Sequence, residues 1–421
     1  MNVLLINPPI YDFAAYDFWL KPYGLVHIAG VLKNSGINSI YFFDFMERHI
    51  FPHMKSDRYG RGKFYSEEVE KPEILGFIPR KFKRYGAPID IFYKYLASIP
   101  SPDFTLISTG MTYWYLGVKE SIDAVREVYP STKIILGGIY SSILPEHAMN
   151  YLKPDHIFTD LNRLSEFLGI SGLQGDSSPM WEVYKKLDYG VIKLTDGCPF
   201  RCTYCAVWLL SPNFSVRKIE KVLEEINYFK RRGIDNIVFY DDALLVNPEK
   251  GILPLLDAVS GMGLKFHTPN ALHARFITSE VAHSMKRAGF ETIYIGYETT
   301  DVERQRSTGG KVTSQHFYNA IKNLLSAGFK REQITVYLMM GLPGQPPEEV
   351  EQGMREIAEF GLKIMLSEYS PIPGTPDGEM AKKILDVGEP LLQNNIVFPI
   401  AYYGYETVKR LKSLKNRLNR R

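Results

Sequence analysis

Asp196-Gly197-Cys198-Pro199-Phe200-Arg201-Cys202-Thr203-Tyr204-Cys205 contains every cysteine of this 421-residue chain. Three thiols spaced C-x3-C-x2-C cannot close into a full set of disulfides, because three is odd and spacings this short bridge only with strain. A structural zinc site needs four ligands, usually in two separated pairs, and the sequence holds no second C-x2-C or H-x3-H pair. Iron and sulfide are the better reading. A cubane cluster usually takes four thiolates, so three would leave one iron open for chemistry. The plain alternative is three unrelated core cysteines, since free Cys often packs as a small hydrophobe.

The motif C-x3-C-x-aromatic-C, with Tyr204 as the aromatic residue, resembles the signature of the radical S-adenosylmethionine (SAM) superfamily. That resemblance implies a [4Fe-4S] cluster on Cys198, Cys202 and Cys205. It also implies SAM bound at the open iron and cleaved reductively to a 5′-deoxyadenosyl radical.

The rest of the chain bears on this reading by its alternation of strands and helices. Six strand–helix units are expected between residues 180 and 376, beginning with a strand at Tyr189–Leu194 and the cluster loop, then a helix from Val216 to Arg232. Val216, Ile219, Val222, Leu223, Ile226 and Phe229 recur at helical spacing along it. Strands follow at Asn236–Tyr240, Leu264–Thr268, Thr292–Gly296, Gln333–Met340 and Ile364–Tyr369, the pattern of a partial (β/α)6 barrel. Functional residues belong at the carboxyl ends of such strands.

Those ends carry the remaining similarities. Gly296-Tyr297-Glu298-Thr299 resembles the superfamily's Gly-x-Glu-Ser turn, which implies Glu298 as a SAM contact. Gly341-Leu342-Pro343-Gly344 resembles its Gly-Leu-Pro-Gly turn, and Pro371-Ile372-Pro373-Gly374-Thr375 its Pro-x-Pro-Gly-Thr segment, so Gly341 and Pro371 join Tyr204 as expected SAM neighbours. Asp241 and Asp242 stand where many relatives place a glycine-rich turn. Acidic groups there can bond the SAM ammonium, and helix capping is the rival role. Arg275 can hold a carboxylate by a bidentate pair. His273 reads as structural. No particular residue is assigned as the acid or base of a reaction.

Residues 1–170 read as a doubly wound parallel sheet: strands at Val3–Ile6, Ser39–Phe43, Phe104–Ser108 and Lys133–Leu136, with helices at Gly24–Lys33 and Tyr115–Val128. Ligands of such sheets sit at the strands' carboxyl ends. The order of parts is similar to that of radical SAM proteins with an N-terminal cobalamin-binding-type domain, which the strands Val-Leu-Leu-Ile-Asn-Pro-Pro and Ile-Ile-Leu-Gly-Gly match. This implies Asn7, Pro8, Thr109, Gly110, Gly137 and Gly138 as cobalamin neighbours, with Tyr113, Trp114 and Tyr140 as candidates beneath the cobalt. Two departures are an absent Asp-x-His-x-x-Gly motif and Thr159-Asp160-Leu161-Asn162-Arg163 in place of a Gly-Glu-Gly-Glu-like turn.

An insertion at residues 49–100 is rich in aromatic and basic residues, and Ile78–Tyr85 is expected to form a solvated lid helix with snorkelling cations. The extension 377–421 ends in a basic amphipathic helix. From Tyr402 onward it has seven Lys or Arg against one acid, with Val408, Leu411, Leu414 and Leu418 on one face. It is expected to pack across the barrel.

Net charge is +3, so the whole-molecule field does not favour nucleic acid. No signal peptide or membrane span is expected, and an exposed cluster points to the cytoplasm. The resemblance implies an external one-electron reductant of flavodoxin or ferredoxin type and a small-molecule or peptide substrate. Three functions stand at this point. One is cobalamin-dependent methylation of an unactivated carbon. Another is a radical reaction without methylation (ring formation, rearrangement or oxidation) and without cobalamin, and the third is a non-catalytic iron–sulfur, SAM-binding sensor. With no further cysteine, an auxiliary cluster is not expected.

Overall fold

A computed structural model describes residues 1–51, 53–170 and 177–420. Pro52 of the insertion and Arg421 of the tail lie outside the described residues. The chain divides into two units, Met1–Asp188 and Tyr189–Arg421.

In the first unit, β1 (Asn2–Asn7), α1 (Tyr23–Asn34), β2 (Ser39–Asp44), β3 (Phe104–Thr109), α2 (Tyr115–Val128), β4 (Lys133–Gly138), β5 (His156–Ile157) and α3 (Leu161–Leu168) follow in order. The sheet runs β5-β4-β3-β1-β2 with every pair parallel. Strand order reverses between β1 and β3, and a crevice at the carboxyl ends follows from that reversal. β1 is an interior strand and carries no polar side chain from Val3 to Ile6, all four fully buried, as a parallel strand covered on both faces requires. Val3 and Leu5 meet Leu25, Ala29 and Leu32 of α1 in one core. At the end of β5 the segment Thr159–Arg163 starts α3, with the Asp160 carboxylate accepting the Asn162 N–H as a helix cap.

The insertion differs from expectation. Ile78–Tyr85 forms no helix: Lys83–Tyr85 is a strand between Ile10–Asp12 and Ser66–Glu68 in a small antiparallel sheet. Arg84 does not snorkel. It is buried and forks onto Glu120 of α2, with Nη2 2.7 Å and Nε 2.9 Å from its carboxylate oxygens. A guanidinium with a bidentate carboxylate partner can be buried where a lone lysine could not.

The second unit is singly wound. β6 (Gly190–Ile192), α4 (Ile219–Arg231), β7 (Asn236–Phe239), α5 (Ile252–Val259), β8 (Lys265–His267), α6 (Ser279–Ala288), β9 (Phe290–Glu298), α7 (Ser314–Ser326), β10 (Ile334–Met340), α8 (Pro347–Glu359) and β11 (Lys363–Glu368) alternate. The strands pair in sequence order, β6-β7-β8-β9-β10-β11, all parallel. Leu272–His273 adds a short pairing to β9. Among the described residues no pairing joins β6 to β11, so the sheet is an open, partial barrel.

Local signals set the boundaries. Thr278 accepts the Val281 N–H at the start of α6, and Gly289, at φ +101°, ends it. Gly190 lets α4 approach, since a Cβ there would stand 2.5 Å from the Phe229 ring.

Residues 377–421 belong to this unit. They include α9 (Val397–Tyr403) and α10 (Tyr405–Leu418), whose Val408, Leu411, Leu414 and Leu418 are buried as expected. α10 packs against α8 and β11, with Arg410 paired to Glu351 and Lys412 to Glu368.

Candidate active site

The loop after β6 is held from several sides. Asp241, at the end of β7, accepts from the backbone N–H groups of Leu194 and Thr195 at 2.9 and 2.5 Å and from the Thr195 hydroxyl at 2.8 Å, all through Oδ1. Oδ2 is buried without a partner. Burial pushes this carboxyl up to about 6 despite those bonds. Asp241 therefore anchors the entry to the cysteine loop. Asp242 is also pushed up by burial. The loop's exit is held by Asp377: Thr203 Oγ1 donates to its Oδ2 at 3.0 Å, and its N–H donates to the Thr203 carbonyl at 3.1 Å.

All three thiols are raised by burial, Cys202 to about 11. Cys202 is buried and the other two are partly exposed. The Val207 N–H donates to Cys205 Sγ at 3.5 Å, and Cys198 Sγ lies 3.9 Å from His273 Nε2. The His273 ring stacks on Phe200, 5.0 Å between centroids, and the Arg275 guanidinium sits 5.3 Å from the same ring. Among the described residues Arg275 has no acidic partner, so a carboxylate group would find it free. His273 Nδ1 is buried and unpartnered, and burial holds this imidazole well below its usual pKa.

Glu298 ends β9 with φ +66°, a left-handed conformation that a glutamate adopts only under constraint, next to a break in the β9–β10 register. Gly296 leaves room for its carboxylate, since a Cβ there would lie 2.5 Å from Glu298 Oε1 and displace it. Glu298 pairs with Lys311 at 3.1 Å. Lys311 is a residue the motifs did not single out. Its ammonium pulls all three thiols down against burial, and Glu298 together with the thiols holds it well above its ordinary pKa. Gly309-Gly310-Lys311 was the only sequence signal, and it reads as loop punctuation.

Other expected neighbours are placed as follows. Tyr204 packs beside the buried cluster of Met339, Leu342 and Tyr369. Gly341, at φ +98°, faces Pro399 of α9, and its N–H donates to Gln345 Oε1 at 3.0 Å. Pro371 is buried where the chain turns back towards Asp377.

Three thiols on one loop, one buried and two partly exposed, suit an iron–sulfur cluster, whose ligands stand well apart. Among the described residues no three His, Cys, Asp or Glu side chains converge as a single metal ion would need. Orphaned Asp241 Oδ2 and unpaired Arg275 are of the right kinds for an ammonium and a carboxylate, so the residues also fit SAM.

At the carboxyl edge of the first unit, Asn7 donates to Asp44 at 2.6 Å and accepts from Ser108 at 3.1 Å, while Thr109 Oγ1 donates to the Gly137 carbonyl at 2.9 Å. Pro8 is buried. The glycines serve internal packing: a Cβ on Gly110 would meet the Trp114 ring at 2.9 Å, on Gly137 the Phe158 carbonyl at 3.0 Å, and on Gly138 the Thr109 carbonyl at 2.4 Å. Of the candidates beneath a cobalt, Tyr140 is fully buried with its hydroxyl on His147, Tyr113 is buried, and Trp114 donates to Asp12. Met111 and Ile139, just beyond β3 and β4, are 43% and 38% exposed. Two bare apolar side chains at neighbouring strand ends fit a broad, partly apolar ligand such as a corrin.

A three-cysteine loop thus follows the first strand of an open, singly wound parallel barrel whose fourth strand ends on strained Glu298, paired with Lys311. Residues 192–357 match the model of the Radical SAM superfamily, so the second unit carries a radical SAM domain.

Among curated proteins, the chain is 24% identical over 232 residues to an uncharacterized methyltransferase, PH0819, of Pyrococcus horikoshii, covering 54% of this chain and 47% of that one. It is 22% identical over 210 residues to the ribosomal protein uS12 methylthiotransferase RimO of Clostridium tetani, covering 47% and 46%. The chain thus spans about half the length of these relatives. Among solved structures it is similar to the radical SAM methyltransferase TsrM of Kitasatospora setae, with cobalamin and a [4Fe-4S] cluster bound. That match has a TM-score of 0.66 at 16% identity and covers 91% of this chain and 75% of that one. It is similar also to the cobalamin-dependent SAM radical enzyme OxsB, at TM-score 0.57 and 13% identity, covering 99% and 61%. At these identities the likeness establishes the fold. Among the described residues no helix is long and apolar enough to cross a membrane.

Proposed function

We propose that this chain is a radical SAM enzyme that methylates an unactivated carbon of a small-molecule or peptide substrate with the help of a corrinoid on its first unit. The observation that carries the core of this reading is the grouping of all the cysteines with strained Glu298 and Lys311 at the carboxyl ends of one barrel. When bound, a [4Fe-4S] cluster supplies reductive cleavage of SAM, and a corrinoid supplies a methyl carrier. The chain's own residues bind and orient. Cys198, Cys202 and Cys205 would hold the iron, Glu298 or Asp241 the SAM ammonium, and Arg275 its carboxylate, while Asp241 and Asp377 keep the loop in place. Exposed Met111 and Ile139 favour the corrinoid, as does a likeness to TsrM over 91% of the chain. The electron would come from an external donor of flavodoxin or ferredoxin type, in a reducing compartment such as the cytoplasm.

A second reading, radical chemistry without methylation, is favoured by the glycines of the first unit, whose open sides are filled by Trp114, Phe158 and Thr109. Full-length protein prepared without oxygen, from cells supplied with cobalamin, separates the two. About four irons with roughly one cobalt per chain, and 5′-deoxyadenosine formed on adding reductant, supports methylation. Iron and 5′-deoxyadenosine without cobalt supports the second reading. Iron without turnover leaves a SAM-binding sensor, and absence of iron from reconstituted protein overturns all three. Cys202→Ala is expected to lose the iron.

A further inference from the structure

We infer that Lys311 is a positioning residue whose fixed ammonium sets the reduction potential of the cluster held by Cys198, Cys202 and Cys205. The inference rests on the cluster reading proposed above and concerns a residue no motif assigns. Its first support is geometric. The segment before Lys311 is strapped to the cysteine loop: the Thr203 N–H donates to the Thr308 carbonyl at 3.4 Å. At Gly309, with φ +111°, a Cβ would come within 3.2 Å of the Arg201 carbonyl and Cys202 Cα. Only glycine allows that approach. Lys311 follows two residues later, 15% exposed, with its ammonium fixed on Glu298 Oε1 at 3.1 Å.

The second support is electrostatic. The ammonium is carried by the segment that packs on Cys202, so its charge bears on the loop that holds the thiols. Facing it is Glu298, whose Oε1 accepts from the ammonium at 3.1 Å and offsets part of its charge. A cluster on three thiolates is already anionic and gains one more negative charge on reduction. A fixed cation in a poorly solvated site stabilises the reduced form more than the oxidised form and so raises the potential. Lys311 is the half-buried cation next to the segment strapped to the cysteine loop, and Glu298 moderates it.

The test is a redox titration of full-length, SAM-free, reconstituted protein, followed by electron paramagnetic resonance. Lys311→Met is expected to bind wild-type iron but titrate lower, with about tenfold less reduced cluster at a fixed potential, equivalent to ~59 mV for one electron. Lys311→Arg is expected to match wild type. Glu298→Gln, which unmasks the ammonium, is expected to shift the opposite way. A Lys311→Met protein with full iron and a wild-type midpoint overturns the inference while leaving the cluster reading intact. If Lys311→Met fails to assemble, a wild-type midpoint in Glu298→Gln overturns it equally. Wild-type protein without iron overturns both.

Discussion

At Asp241 a single carboxylate holds the entry to the cysteine loop. Its Oδ1 takes three donors from Leu194 and Thr195 while Oδ2 is buried without one, and burial lifts its pKa from 3.8 to about 6. A carboxyl raised in this way binds a proton on folding between those two values. Its contribution to stability is therefore best at low pH and is lost as pH rises through about 6, by an amount of up to ~3 kcal/mol. Urea unfolding of the cluster-free protein at pH 5 and pH 7 is expected to show this fall in wild type and a flatter profile in Asp241→Asn, which keeps an accepting oxygen. Parallel profiles would mean that Asp241 does not titrate in that range. At this scale the cysteines and Glu298 were legible, because each lies in a short local pattern. The anchoring role of Asp241 was not, since it depends on backbone groups of a different strand.

Helices and strands were legible through periodicity and punctuation. α2 and α6 have the bounds that the sequence pattern predicts, and α4 starts three residues later than expected because Ser215–Val216 pairs with Thr195–Asp196 instead. The insertion was misread at the same scale. Lys83–Tyr85 shows no alternation that marks a strand, and its pairing with Ile10–Asp12 joins residues far apart in the chain.

Helix seating gives a paired prediction. In α2, a Cβ on Gly117 would stand 1.8 Å from the Pro9 carbonyl, whereas on Gly24 of α1 it would meet nothing. Alanine gains helix propensity of about 1 kcal/mol over glycine in a helix interior. Overpacking against a backbone that cannot rotate away costs about 1–3 kcal/mol. Gly117→Ala is thus expected to lower the thermal midpoint and Gly24→Ala to leave it unchanged or raise it slightly. Equal midpoints for the two variants would contradict the packing at Pro9.

For the whole molecule, every group assigned to the cluster and to SAM lies within Tyr189–Arg421. Residues 189–421 expressed alone are expected to take up iron at close to the full-length ratio, measured by iron and sulfide analysis. Loss of iron binding in a folded fragment would mean that the first unit contributes to the site.

The sequence by itself determined the grouping of the three cysteines on one loop, the two strand–helix alternations and the turns that carry Glu298, Gly341 and Pro371. These are local: each is written in a few consecutive residues or in a repeat of fixed period. Tertiary structure alone decided that Arg84 is buried on Glu120, that Asp241 anchors the cysteine loop, that the open sides of the first unit's glycines are filled by Trp114, Phe158 and Thr109, and that Lys311 pairs with Glu298. Each of those depends on which distant residue supplies the partner charge or the opposing carbonyl. Burial strengthens such partnerships while leaving no periodic trace in the chain.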